Sequence, residues 1–277
     1  MRRGLPGTLL ARVLLPVALV ALVGCSAAAS GPAAPTLNAE ARSSVSPSPT
    51  AALSGTIVVD AAASLTGSFT AIANAFTALH PGVTVTLNFG SSAALASAIV
   101  AGAPVDVFAA ASASTMATVT SASLTATPAR VFARNSLEIA VPPGNPGQIR
   151  GIRDFADATK KIALCAPQVP CGAAAAIAFA AAGVTPAPDT LEQDVKAALT
   201  KVELGEVDAA MVYRTDVIAA GPKVLGIEFA ESAKAVTSYP VAPVANRTNL
   251  PVAAAFAAFV LSPDAQKILA NAGFQAP

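Results

Sequence analysis

Two hydrophobic periods alternate along residues 56–109, and no other feature restricts the possible folds as sharply. Apart from Asp60, residues 56–62 are a run of β-branched and small apolar side chains, the pattern of a buried strand. Leu65, Phe69, Ile72, Phe76 and Leu79 then recur at helical spacing until His80-Pro81-Gly82 stops the helix. Residues 83–89 alternate as a strand, Gly90-Ser91-Ser92 turns, 93–101 reads as a helix and 105–109 as a third strand. Strand, helix, strand, helix, strand predicts a parallel sheet with right-handed crossovers.

A second series follows. Residues 137–141 and 161–166 read as strands, 172–182 as an alanine-rich helix ended by Gly183, and 191–204 as a helix with Val195, Leu199 and Val202 on one face. A strand at 209–213, an extended stretch at 239–245 and helices at 252–261 and 263–270 complete the chain. Two α/β units in succession predict two lobes with a ligand cleft at the carboxyl ends of their strands.

The N-terminus reads as an address. Met1-Arg2-Arg3 is followed by an apolar run over 9–23, broken only by Arg12, the pattern of a secretory signal over residues 1–24. The run ends in Leu22-Val23-Gly24-Cys25, which matches a bacterial lipobox and marks Cys25 for lipidation after cleavage; the alternative is a conventional signal with an incidental cysteine. Residues 25–54 turn to Ala, Ser, Pro and Thr, with too little apolar bulk to fold, and read as a disordered tether. An anchored receptor, enzyme or adhesin would share this layout. The whole chain has 17 Lys and Arg against 16 Asp and Glu; losing Arg2, Arg3 and Arg12 leaves 14 against 16, a net charge of −2. That balance argues against nucleic acid, which calls for a basic patch. An anion binder of this composition must draw on local dipoles.

If Cys25 carries lipid, Cys165 and Cys171 remain as a pair in an oxidising compartment, spanning a short loop with two prolines. A structural disulfide is expected; two buried free thiols or a redox switch are the alternatives. His80, the only histidine, reads as a surface or capping residue, and no His-Asp-Ser or His-Cys grouping is available for hydrolysis, so no enzymatic activity is expected. Asp106 is given a structural role, and Arg214 with Asp216 a surface pair.

The strand-to-helix turns carry the chemistry. Ala61-Ala62-Ala63-Ser64-Leu65-Thr66 puts Ser64 where a strand gives way to a helix, and Phe89-Gly90-Ser91-Ser92 does the same with two serines. Helix starts offer unpaired N–H groups and partial positive charge, so each turn is an anion site that needs no Arg or Lys. Each serine taken singly reads more simply as a helix cap. Two such turns on neighbouring strands favour a site.

The stretches AAASLTGSFTAIANAF and FGSSAALASAIVAGAPVDVFAAAS resemble the molybdate-binding proteins of ABC importers, as do RNSLEIAVP, VPCG, EQDVKAALTKVELGEVDAAMVY and SYPV, in order over most of residues 55–277. The resemblance implies the type II periplasmic-binding-protein fold, with lobe 1 over 55–133 plus 240–277 and lobe 2 over 134–239. It implies an oxyanion, molybdate or tungstate, held without direct metal ligands or a cofactor. The donors would be the Ser64, Ser92 and Tyr213 hydroxyls and the backbone amides at Cys171 and Val195. Family members often carry a small residue where Cys171 stands. ABC permease and ATPase subunits are the implied partners, the membrane is reached through the lipid, and the receptor is expected to be a monomer. Another tetrahedral oxyanion such as sulfate, an anchored sensor module or an enzyme on the same fold are the competing functions.

Overall fold

The computed structural model describes residues 52–277; the lipobox, Cys25 and the tether up to residue 51 lie outside the described residues. The first sheet is built from β1 (Ser54–Ala62), β2 (Gly82–Gly90), β3 (Val107–Ala109), β4 (Arg130–Asn135) and a late strand, β10 (Thr237–Pro243). Their order is β2-β1-β3-β10-β4, with β2, β1 and β3 parallel and β10 antiparallel to both its neighbours. The second sheet has β5 (Leu137–Val141), β6 (Ile162–Cys165), β7 (Thr190–Glu192), β8 (Ala209–Tyr213) and β9 (Leu225–Ile227), ordered β7-β6-β8-β5-β9. Here β7, β6 and β8 are parallel and β5 is the reversed strand. Each lobe is thus a mostly parallel sheet with one antiparallel member.

Helices α1 (Thr66–Leu79), α2 (Ser92–Val100), α3 (Ala113–Ser121), α7 (Leu250–Val260) and α8 (Pro263–Asn271) cover the first sheet. Its period-two alternation feeds two cores. Val107 and Ala109 join the core with Phe69, Phe76 and Phe256, while Phe108 and Ala110 join the one with Leu95, Ile99 and Met116. Of the predicted α1 stripe, Leu65, Phe69, Ile72 and Phe76 are buried, but Leu79 is 60% exposed at the fraying end of the helix. The second sheet is flanked by α4 (Pro170–Ala182), α5 (Val195–Glu203) and α6 (Arg214–Ala220). In α4 the small side chains of Ala174, Ala175, Ala178 and Ala182 face the core and let the helix lie close to its sheet, and Gly183 ends it with φ 62°.

The helix expected over 191–204 is shorter. Leu191 belongs to β7, 55% exposed on an edge strand, and the helix begins only after Asp194, whose carboxylate accepts from the Lys196 and Ala197 amides. The surface pair expected of Arg214 and Asp216 is also corrected. Asp216 is fully buried and paired with Lys196 at 2.9 Å, while Arg214 reaches out to Glu228. Asp106 accepts the Val58 amide at 2.7 Å, and His80 caps the end of α1 with its ring against Phe76.

The chain passes between the lobes twice, from β4 to β5 through Ser136 and back from β9 to β10. Helix starts follow β1, β2, β6 and β7, and all lie at the carboxyl ends of their strands, facing the junction of the lobes.

Candidate functional site

The junction encloses a cavity of about 20 Å³ lined by Ser64, Ser91 and Ser92 from the first lobe and by Cys171, Val195 and Tyr213 from the second. All five positions singled out in the sequence thus line one cavity. Ser64, Ser92, Cys171, Val195 and Tyr213 are each buried, at 7%, 2%, 3%, 3% and 1% exposure. Ala93 of the first lobe packs against the core of the second, so the lobes stand closed. Allowing a water-sized shell around it, so small a space envelops an object roughly 3 Å in radius. That suits one compact ion.

Neither predicted serine spends its hydroxyl on capping. Ser64, in the single 3₁₀ turn before α1, meets the Tyr239 hydroxyl at 3.0 Å. Ser92 opens α2 and its Oγ accepts the Ala111 amide at 3.0 Å, which leaves its own proton to point elsewhere. The buried hydroxyls of Ser91 and Tyr213 have no hydrogen-bond partner among the described residues. A buried orphan hydroxyl carries an unrecovered desolvation cost of about 1–3 kcal/mol. Two of them at one cavity leave two hydroxyl protons free to donate to whatever occupies it.

Backbone amides complete the lining. The first turn of a helix has no intrahelical acceptors for its N–H groups. Val169 gives α4 no side-chain cap and Pro170 occupies its first turn, so Cys171 carries an uncapped N–H there. In α5 the Asp194 carboxylate takes the amides of residues 196 and 197, leaving that of Val195 at the cavity wall. A disulfide joins Cys165 at the end of β6 to Cys171, with their Cα atoms 5.7 Å apart, and fixes the α4 start to its strand. No Lys or Arg lines the cavity, and the one charged side chain at its wall is the Asp194 carboxylate, whose Oδ1 is held by the Lys196 and Ala197 amides. Lys196, just outside it, is taken up by Asp216; burial holds the Asp216 carboxyl above its usual range against the pull of that lysine. Burial likewise lifts the Tyr213 hydroxyl well above the ordinary phenol range, so it stays protonated and a donor.

Two contributors were not singled out from sequence. Ser91 sits in the turn that was, but whether both of two adjacent serines face inward depends on backbone angles. Asp194 was detectable, as a cap residue placed just before the Val195, Leu199, Val202 stripe. Among the described residues, no group of three or more His, Cys, Asp or Glu is placed to hold a metal ion.

Two α/β lobes closing on a buried, donor-lined cavity make a solute receptor of the periplasmic-binding type. The chain belongs to the bacterial extracellular solute-binding protein family, which it matches over residues 57–275. It is 36% identical over 262 residues to the molybdate-binding protein ModA of Mycobacterium tuberculosis (strain ATCC 25618 / H37Rv), covering 94% of both chains. Among solved structures, the periplasmic molybdate-binding protein of Azotobacter vinelandii superposes with a TM-score of 0.69 at 20% identity, covering 80% of this chain and 99% of that one. The sulfate-binding protein SubI of M. tuberculosis H37Rv gives the same TM-score at 21% identity, covering 80% and 86%. At these identities the structures establish the fold, and their equal scores make plain that overall shape does not separate one oxyanion from another.

Proposed function

We propose that this chain captures molybdate or tungstate outside the cytoplasmic membrane and delivers it to an ABC permease and its ATPase, tethered by a lipid on Cys25. Ser64, Ser92 and Tyr213 would bind through their hydroxyls, Cys171 and Val195 through their amides. The carrying observation is the closed cavity whose orphan hydroxyls and helix starts offer donors without a cation. A fully ionised tetrahedral dianion presents acceptors only, so it meets every one of these donors. A protonated anion brings a hydrogen that these amide donors cannot accept. Fixed dipoles suffice because the fold has already oriented them. The likeness to the mycobacterial molybdate-binding protein supports the same ligand.

Calorimetry should show tight binding of molybdate and tungstate and little of sulfate, which is smaller and would leave part of the donor shell unfilled. Equal sulfate affinity would remove the size selectivity while keeping the receptor role. Tyr213→Phe offers a sharper contrast. Its hydroxyl has no protein partner among the described residues, so the unliganded melting temperature should hold or rise, while molybdate affinity drops by about 1–3 kcal/mol. A fall in unliganded stability with affinity intact would take Tyr213 out of the site. Ser64→Ala and Ser92→Ala should each cost affinity by a similar amount, about 1–3 kcal/mol.

A further inference from the structure

A buried chain of polar groups runs from the hinge into the cavity. The Ser136 amide, at the first crossing between lobes, donates to Asn135 Oδ1 at 3.0 Å. That contact fixes which end of the Asn135 amide is oxygen, since a backbone N–H can only donate. Asn135 Nδ2 therefore faces Thr215 Oγ1 at 2.8 Å and the Tyr239 hydroxyl at 3.3 Å, and it donates to both. Asn135 can only donate to Tyr239, so among the hydrogen bonds of the described residues Ser64 Oγ, at 3.0 Å, is the one acceptor open to the Tyr239 proton, which makes Tyr239 the donor of that pair. Ser64, having received a proton, has its own left to give, and its side chain lines the cavity. Asn135, Tyr239 and Ser64 are 1%, 0% and 7% exposed, so water does not scramble the order.

Resting on the oxyanion reading above, we propose that Asn135 and Tyr239 are specificity-determining positioning residues. They polarise the Ser64 hydroxyl so that it donates into the cavity, and so set the site against oxyanions that carry a proton. Of these three residues only Ser64 touches the ligand; the other two act through it. Ser92 arrives at the same polarity by another route, because the Ala111 amide fills its acceptor side.

The test compares molybdate with hydrogen phosphate by calorimetry at pH 8, where one dianion has no proton and the other has one. Taking the ratio of the two affinities cancels effects of charge and of general loosening. In Asn135→Asp the donor becomes a carboxylate, which accepts a hydrogen bond from the Tyr239 hydroxyl and reverses the chain. Ser64 then turns its proton to Tyr239 and a lone pair to the cavity. The molybdate-to-hydrogen-phosphate ratio should fall by about tenfold or more. Tyr239→Phe, which keeps the buried ring, frees Ser64 to accept as well as donate and should lower the ratio several-fold. It also serves if the Asn135→Asp variant does not fold. A ratio unchanged in a folded variant overturns the inference while wild-type molybdate binding keeps the functional reading. A wild type that binds no tetrahedral oxyanion overturns that reading, and the inference with it.

Discussion

Gly172→Ala should lower both stability and ligand affinity more than any other single methyl added to this protein. A Cβ at Gly172 would run into the Ala166 carbonyl oxygen and stand 2.6 Å from that of Cys165. Both obstacles are backbone, at the end of β6 and in the turn after it, and neither can swing aside as a side chain would. Overpacking of this kind typically costs about 1–3 kcal/mol and occasionally more, and contact with rigid main chain puts this case at the upper end. The start of α4 must retreat from β6 against the Cys165–Cys171 disulfide, carrying the Cys171 amide away from the cavity. Molybdate affinity should fall by about tenfold or more, since a displaced donor leaves a ligand oxygen unpaired. Thermal melting and calorimetry on the purified domain check both halves. A melting temperature within about 2 °C of wild type would mean that the close approach of α4 is not what holds the loop.

Lys196→Met should be nearly as damaging, for an electrostatic reason. Asp216 is fully buried, and its charge is met only by Lys196 at 2.9 Å and by the Tyr213 amide at 3.2 Å among the described residues. Removing one member of such a pair strands the other charge, at a cost of about 3 kcal/mol when the lost partner is itself partly exposed, as Lys196 is. The pH dependence has a definite sign. Burial raises the folded-state Asp216 carboxyl above its ordinary value, and losing Lys196 raises it further. The ionised form is then the costly one. The deficit is complete well above the variant's folded value, shrinks as pH falls through that value, and vanishes below the wild-type folded value, where both folded carboxyls are protonated. The variant should thus converge on wild-type stability between neutral and mildly acidic pH. Adding Asp216→Asn should restore much of the loss at pH 7, because no charge is left to strand. A double variant no better than the single one would exclude the stranded-charge explanation.

Much of this was legible in the sequence because the relevant features are local. Hydrophobic period distinguishes β1, α1 and β2 within a few residues of their ends, and Gly183 announces the end of α4 by the conformation it alone adopts easily. What escaped depends on distant partners. Leu191 looked helical beside Val195 and Leu199, yet pairing with Leu164 makes it strand. Arg214 and Asp216 are close in sequence, but the first residues of α6 point in different directions, and Asp216 turns inward to Lys196, on another helix. Ser64 was singled out as an anion donor, while its partner Tyr239 lies 175 residues away, and no local pattern assigns a direction to the proton they share.

The division of the cavity lining between the lobes bears on unloading as much as on capture. Ser64, Ser91 and Ser92 belong to one lobe, Cys171, Val195 and Tyr213 to the other, and the covalent links between them are two short passages of chain. Neither half surrounds an ion alone. Separating the lobes by the width of a single oxygen would strip the cargo of about half its hydrogen bonds at once. No proton need be delivered and no competing anion supplied. A docking partner that grips the two lobes and levers them apart could therefore empty the receptor without ever reaching its pocket.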